Sequence, residues 1–202
     1  MKINFAKGAW NPDDLKYVYS RRFPRDTKFI QNEDCIENPK DPTMRDGYSY
    51  ITLFSPEKYT ANVRIKTRCS FEGLAAPLIV LAKEFVEENG ILCYGDYQEA
   101  VLWTNGLNVW DLWTEEDGTI KWHKVLGIDS SVSQGEIHEL EVEVREGILV
   151  VRVDHQTVTL RMPTLYSEFY LGITGCEGVC RFYDLEIEQN PGEQKQNISA
   201  NE

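Results

Sequence analysis

Short runs rich in Val, Ile, Tyr, Phe and Trp recur along the chain between Gly, Pro, Asn and Asp positions, and several of them alternate apolar with polar residues. Alternation of period two marks a strand with one face in a core and the other outside it. The clearest instance is "HELEVEVREGILVVRVDH". A two-residue turn at Glu146-Gly147 sets His138, Leu140, Val142 and Val144 on one face, opposite Leu149, Val151 and Val153. That face is core. The other carries Glu139, Glu141, Glu143 and Arg145 opposite Ile148, Val150, Arg152 and Asp154, with Glu141 directly across from Arg152, and reads as a solvated ladder of mixed charge.

Extended along the sequence, the same reading predicts strands near 17–20, 28–31, 48–54, 59–68, 75–82, 91–94, 97–104, 107–113, 120–126, 137–145, 148–154, 157–161, 168–174 and 180–188. In "LAKEFVEENG" good helix formers precede an Asn-Gly stop, so a short helix competes with a strand there. Residues 36–47 read as a long surface loop. The expectation is an all-β, two-sheet antiparallel jelly-roll sandwich over residues 1–188, followed by a polar tail at 189–202.

The stretch "AVLWTNGLNVWDLW" holds three of the five tryptophans around Asn105-Gly106, a strong hairpin signal because both central residues of a type I′ turn need positive φ. Parity then places Ala100, Leu102, Leu107, Val109 and Trp113 on a core face. Tyr97, Glu99, Val101, Trp103, Asn108, Trp110 and Leu112 share the opposite face, which mixes flat aromatic rings with a carboxylate and an amide. Sugars explain such a mixture, since pyranose C–H faces stack on rings while hydroxyls need donors and acceptors held in place. Trp103 and Trp110 would stack, and Glu99, Asn108 and Tyr97 would hydrogen-bond. The competing reading packs these rings beneath a covering loop, the second sheet or another subunit.

Charge narrows the partners. The 202 residues carry 21 Lys plus Arg against 33 Asp plus Glu, a net charge of -12, with no basic stripe, so phosphate backbones and anionic membranes are poor partners. There is no transmembrane-length apolar run and no signal-peptide core, and five cysteines at 35, 69, 93, 176 and 180 show no paired framework. A cytoplasmic protein with reduced thiols is expected.

The succession "YTANVRIKTR", "GLAAPLIVLA", "AVLWTNGLNVWDLW", "IKWHKVLG", "GEIHELEVEVREGILVVRVDHQTV" and "FYLGITGCEGVCRFYDLEIE" resembles the strand order of concanavalin A-like lectin/glucanase jelly rolls, above all the laminin-G-like and 3-keto-disaccharide hydrolase branches. The likeness spans roughly residues 48–188 and ends on Gly172, Gly175, Gly178, Phe182 and Asp184. It implies two antiparallel sheets, one concave, with carbohydrate meeting the concave sheet or the loops at its rim. It is a pattern of strands and turns, not a catalytic signature.

Glucanases of that fold carry Glu-x-Asp-x-x-Glu, which sets alternating carboxylates for a nucleophile and an acid/base. The nearest match, Glu139, Glu141 and Glu143, lacks the central Asp and falls on the charged ladder. A second set is Glu99 with Asp96, Asp111 and His123. Glu99 is the one candidate acid or base, if a tryptophan-lined pocket raises its pKa. Asp111 points to the opposite face, and His123, whose facing the pattern leaves open, is a further candidate for substrate contact. Cys176 and Cys180 in "CEGVC" are too few for a metal site, and the acidic segments at 31–35 and 114–118 lack defined calcium-ligand spacing. Neither metal nor cofactor is expected. Three readings stand: a carbohydrate-binding jelly roll, a glycan-processing enzyme using Glu99 on the same face, and an interaction module whose aromatic face meets another subunit, including a second copy in a homo-oligomer.

Overall fold

The computed structural model describes residues 1–23, 27–44 and 47–191. Two large antiparallel sheets pack face to face. The smaller runs, in spatial order, Ile120–Asp129, Gly106–Thr114, Tyr97–Trp103, Ala76–Ala82, Phe169–Cys176, Ile51–Tyr59 and Lys16–Tyr17. The larger follows Gln156–Arg161, Ile148–Val153, His138–Arg145, Val63–Glu72, Val179–Phe182, Ile36–Glu37 and Ile30–Gln31. Asp184–Gln189 pairs beside Val63–Glu72, and Lys2–Asn4 is added to its outer edge. Among the described residues the only helix is a single 3-10 turn, Pro12–Asp14.

Between the sheets lies the core that alternation predicts. Leu140, Val142 and Val144 meet Val153, Val151 and Leu149 across the Glu146-Gly147 turn, and from the facing sheet come Ile79, Leu81, Leu102, Val109 and Ile173. On the outer face of the larger sheet, Glu141 does sit across from Arg152. The ladder is less wet than its charges imply. Glu141 and Glu143 are buried beneath the arginines they pair with, Arg152 reaching both and Arg145 lying 2.6 Å from Glu143. Long basic side chains cover the carboxylates with their apolar stems while their heads neutralise them.

The smaller sheet buries much of its second face as well. Ala76–Ala82 is apolar at every position, Ile79 and Leu81 pointing into the sandwich and Leu78 and Val80 away from it. This outer layer, with Val18, Phe54, Tyr94 and Tyr97, is roofed by a third sheet of Tyr19–Ser20, Ile91–Tyr94 and Phe85–Glu88. The helix weighed for "LAKEFVEENG" is therefore a strand of this roof. Asn89 and Gly90 have φ of 53° and 79° and link Glu88 to Ile91, so positive φ at both central residues closes a hairpin where local propensity leans towards helix. The roof covers only part of the face.

Candidate functional site

Beside the roof, the remaining outer face of the smaller sheet opens as a cleft of about 370 Å³. Its floor is the hairpin Tyr97–Trp103/Gly106–Thr114. The chain turns at Thr104-Asn105, so that Trp103 pairs with Gly106, Leu102 with Leu107 and Glu99 with Trp110. The expected type I′ turn at Asn105-Gly106 is absent, because only Gly106 of that pair has positive φ, at 130°. Gly106 is required there for a different reason: a Cβ would stand 2.0 Å from the Ile128 carbonyl oxygen of the neighbouring strand. Moving the turn by one residue changes paired numbers by two and leaves side-chain parity intact.

Glu99, Val101, Trp103, Asn108 and Trp110 accordingly line the cleft together. Other segments complete it: Trp122 and Lys124 from the edge strand, Arg22 and Phe23 from the segment after the roof's first strand, Tyr50 packed against Phe23 with ring centres 5.1 Å apart, and Leu74 and Glu177. Cations lie over two of the rings. The Lys124 ammonium is 5.4 Å from the centre of Trp110, and the Arg22 guanidinium 5.4 Å from that of Trp122, itself 58% exposed. The Trp103 indole N–H is buried and has no hydrogen-bond partner among the described residues.

Glu99 is the chemically distinctive group. It is 8% exposed, set between Val80 and Trp110 on neighbouring strands, and its Oε2 accepts a long hydrogen bond, 3.4 Å, from the Tyr50 hydroxyl. Burial pushes its pKa from 4.5 to about 7; Arg22 and the Tyr50 bond oppose the rise, and the charge of Glu177 adds to it.

The structure leaves two expected contact residues outside the cleft lining. Tyr97 shares the parity of Glu99 but lies beneath the roof, buried edge-on against Tyr94 with centroids 4.8 Å apart, and burial drives its hydroxyl pKa upward. His123 pairs with Asp111, and strand alternation turns it away from the face that Trp122 and Lys124 present. Trp113 departs from its expected core position. It has core parity, yet it lies beyond the sandwich interior, 38% exposed, with its indole N–H bonded 2.9 Å to Glu115. Asp96 is engaged by the Thr114 amide and Lys83, and Asp111 by Gln98. The Glu139-Glu141-Glu143 series sits on the other sheet, remote from the cleft floor. Among the described residues no group of three or more His, Cys, Asp or Glu side chains is disposed to hold a metal ion.

Arg22, Tyr50, Leu74 and Glu177 are cleft residues that alternation does not reveal, because they arrive from separate segments. Trp122 and Lys124 do leave a signal, in the parity of "IKWHKV".

No protein-family model and no curated protein matches the sequence. Solved structures do match the shape. Carbohydrate binding module CBM66 from Bacillus subtilis superposes with a TM-score of 0.62 at 8% identity, over 87% of this chain and 96% of that one. The fold is a concanavalin A-like jelly roll. A glycoside hydrolase family 16 endo-glucanase from Bacteroides ovatus gives 0.59 at 9% identity, over 93% and 99% of the two chains. A Bacillus subtilis protein of unknown function with a galectin-like fold gives 0.62 at 8%, over 94% of each.

Proposed function

We propose that this jelly roll binds an oligosaccharide in the cleft on its smaller sheet. The observation that carries this reading is the unroofed cleft itself, where Trp103, Trp110 and Trp122 surround Asn108 and the buried Glu99. A surface meant for solvent has no use for three indoles, and a core does not leave Trp122 more than half exposed. Rings stack on sugar C–H faces, while Asn108, Tyr50 and Glu99 offer both donors and acceptors to hydroxyls. The sugar-binding and sugar-cleaving proteins among the structural neighbours agree with this use of the fold. The five cysteines are buried and no disulfide joins them, which suits the cytoplasmic location expected from the sequence.

A screen of the purified protein against a glycan panel, read by tryptophan fluorescence, tests the proposal. Binding that shifts the emission and is lost in Trp110→Ala is expected. Failure of every glycan to bind would overturn it in favour of an interaction module.

One observation favours a second reading, cleavage. Glu99, with a pKa of about 7, is poised as a general acid, and Glu177 is the other carboxylate of the lining. Product analysis with a bound glycan decides between the two: release of shorter sugars that stops in Glu99→Gln establishes an enzyme, and unchanged glycan establishes a binding module.

A further inference from the structure

We propose that the cleft selects a sugar ring carrying an anionic substituent, a carboxylate or a sulfate ester, and that Arg22 and Lys124 hold its charge. This rests on the carbohydrate reading above and names its ligand class. The chain has an excess of acidic residues, and many of its arginines are committed: Arg21, Arg64, Arg68, Arg145, Arg152 and Arg181 each lie against a carboxylate. Among the described residues Arg22 and Lys124, like Lys28 and Lys58, lie over aromatic rings with no carboxylate within ion-pairing distance, and Arg22 and Lys124 stand together in one cleft. Each of these two is placed over an indole face, and Arg22 also over the Phe23 ring, 5.2 Å from its centre.

Two cations gathered in the cleft of a net-negative protein are poorly explained by a neutral ligand. They fit an anion stacked or seated between them, since charge-assisted hydrogen bonds are shorter and stronger than neutral ones. Both carboxylates facing the site must be reckoned with. Glu177 stands on the exposed rim, where water screens it, while Glu99 at the floor is moved by burial towards its protonated form, in which it donates a hydrogen bond to an anionic oxygen.

Paired ligands test the inference by titration of tryptophan fluorescence. One arm uses an acidic oligosaccharide containing uronic acid and the same oligosaccharide with its carboxylates reduced to alcohols. The other uses a sulfated oligosaccharide and its desulfated parent. In at least one arm the anionic member is expected to bind about tenfold tighter or better, the arm that responds identifying carboxylate or sulfate. That binding should weaken between about 20 and about 500 mM salt. Arg22→Gln and Lys124→Gln should each lose about tenfold for the anionic member and under about twofold for the neutral one, with unchanged melting temperatures. Lys124→Glu should abolish anionic binding. If the neutral members bind as well as the anionic ones, this inference falls and carbohydrate binding stands. If no sugar of either kind binds, both fall together.

Discussion

Replacing Glu99 with Gln isolates the energetic consequence of placing one carboxyl beneath the tryptophans. In the unfolded chain it ionises near 4.5, and in the folded protein near 7. Between those values the folded state holds a proton that the unfolded state has released, so stability falls as pH rises through the window and levels off above it. One pKa step corresponds to about 1.4 kcal/mol, which makes the loss roughly 3 kcal/mol by pH 8. Glutamine imitates the protonated acid and still accepts from the Tyr50 hydroxyl. Glu99→Gln should therefore match the parent near pH 4.5 and exceed it by roughly 3 kcal/mol at pH 8, or about 6–12 °C in Tm for a domain of this size. Thermal melts of both proteins at half-unit steps from pH 4.5 to 8.5 measure the difference. Subtraction removes His138, which titrates in both proteins; burial works against its charge, but the Ser133 carbonyl and Asp154 hold its pKa above the ordinary value. A difference that is flat across the window, or a variant less stable than the parent at pH 8, would refute the reasoning.

Trp110→Ala should lose glycan binding at a cost under about 1.5 kcal/mol by urea titration, since its ring borders open space; Trp103→Ala should cost about 1–3 kcal/mol, its N–H end being buried. Trp113→Ala should cost no more than about 1–2 kcal/mol and leave binding unchanged, because the ring is partly exposed and outside the cleft lining. Gly106→Ala should lower stability by several kcal/mol in the same titration, or prevent folding, as its new methyl collides with the Ile128 carbonyl. Reductant should leave the melting temperature unchanged, as no disulfide joins the cysteines.

The face that carries Glu99, Trp103, Asn108 and Trp110 is legible in the sequence because parity survives a misplaced turn. The Thr104-Asn105 turn itself is not legible. Asn-Gly is a statistical signal for positive φ at both residues, whereas here the approach of Ile128 decides why the glycine is needed, and that neighbour lies more than twenty residues away. The same limit explains Trp113 and Tyr97. Alternation states which side of a sheet a residue occupies, but not how far the opposing layer extends, so a core-facing ring emerges past the sandwich edge and a cleft-facing one disappears under the roof. In "LAKEFVEENG" the favourable helix propensities amount to a few tenths of a kcal/mol per residue, less than a hairpin gains by burying Phe85 against Phe54 and Tyr170.

The pairing of Lys2–Asn4 with Asp184–Gln189 joins residues as distant as Lys2 and Glu186, and the amino group of Met1 adds a 2.7 Å bond to the Ile187 carbonyl. During synthesis Lys2–Asn4 therefore waits for Asp184–Gln189 before its own partner strand exists. Arg22 lies just after Tyr19–Ser20, which docks alongside Cys93 and Tyr94, so its side of the cleft waits for that later strand. With so much of its pairing non-local, the domain should fold slowly, and ligand capture should lag behind the gain of β-sheet signal in a refolding trace. The appearance of binding would thus mark the moment at which the segment bearing Arg22 has docked beside Cys93 and Tyr94 and met the tryptophan hairpin.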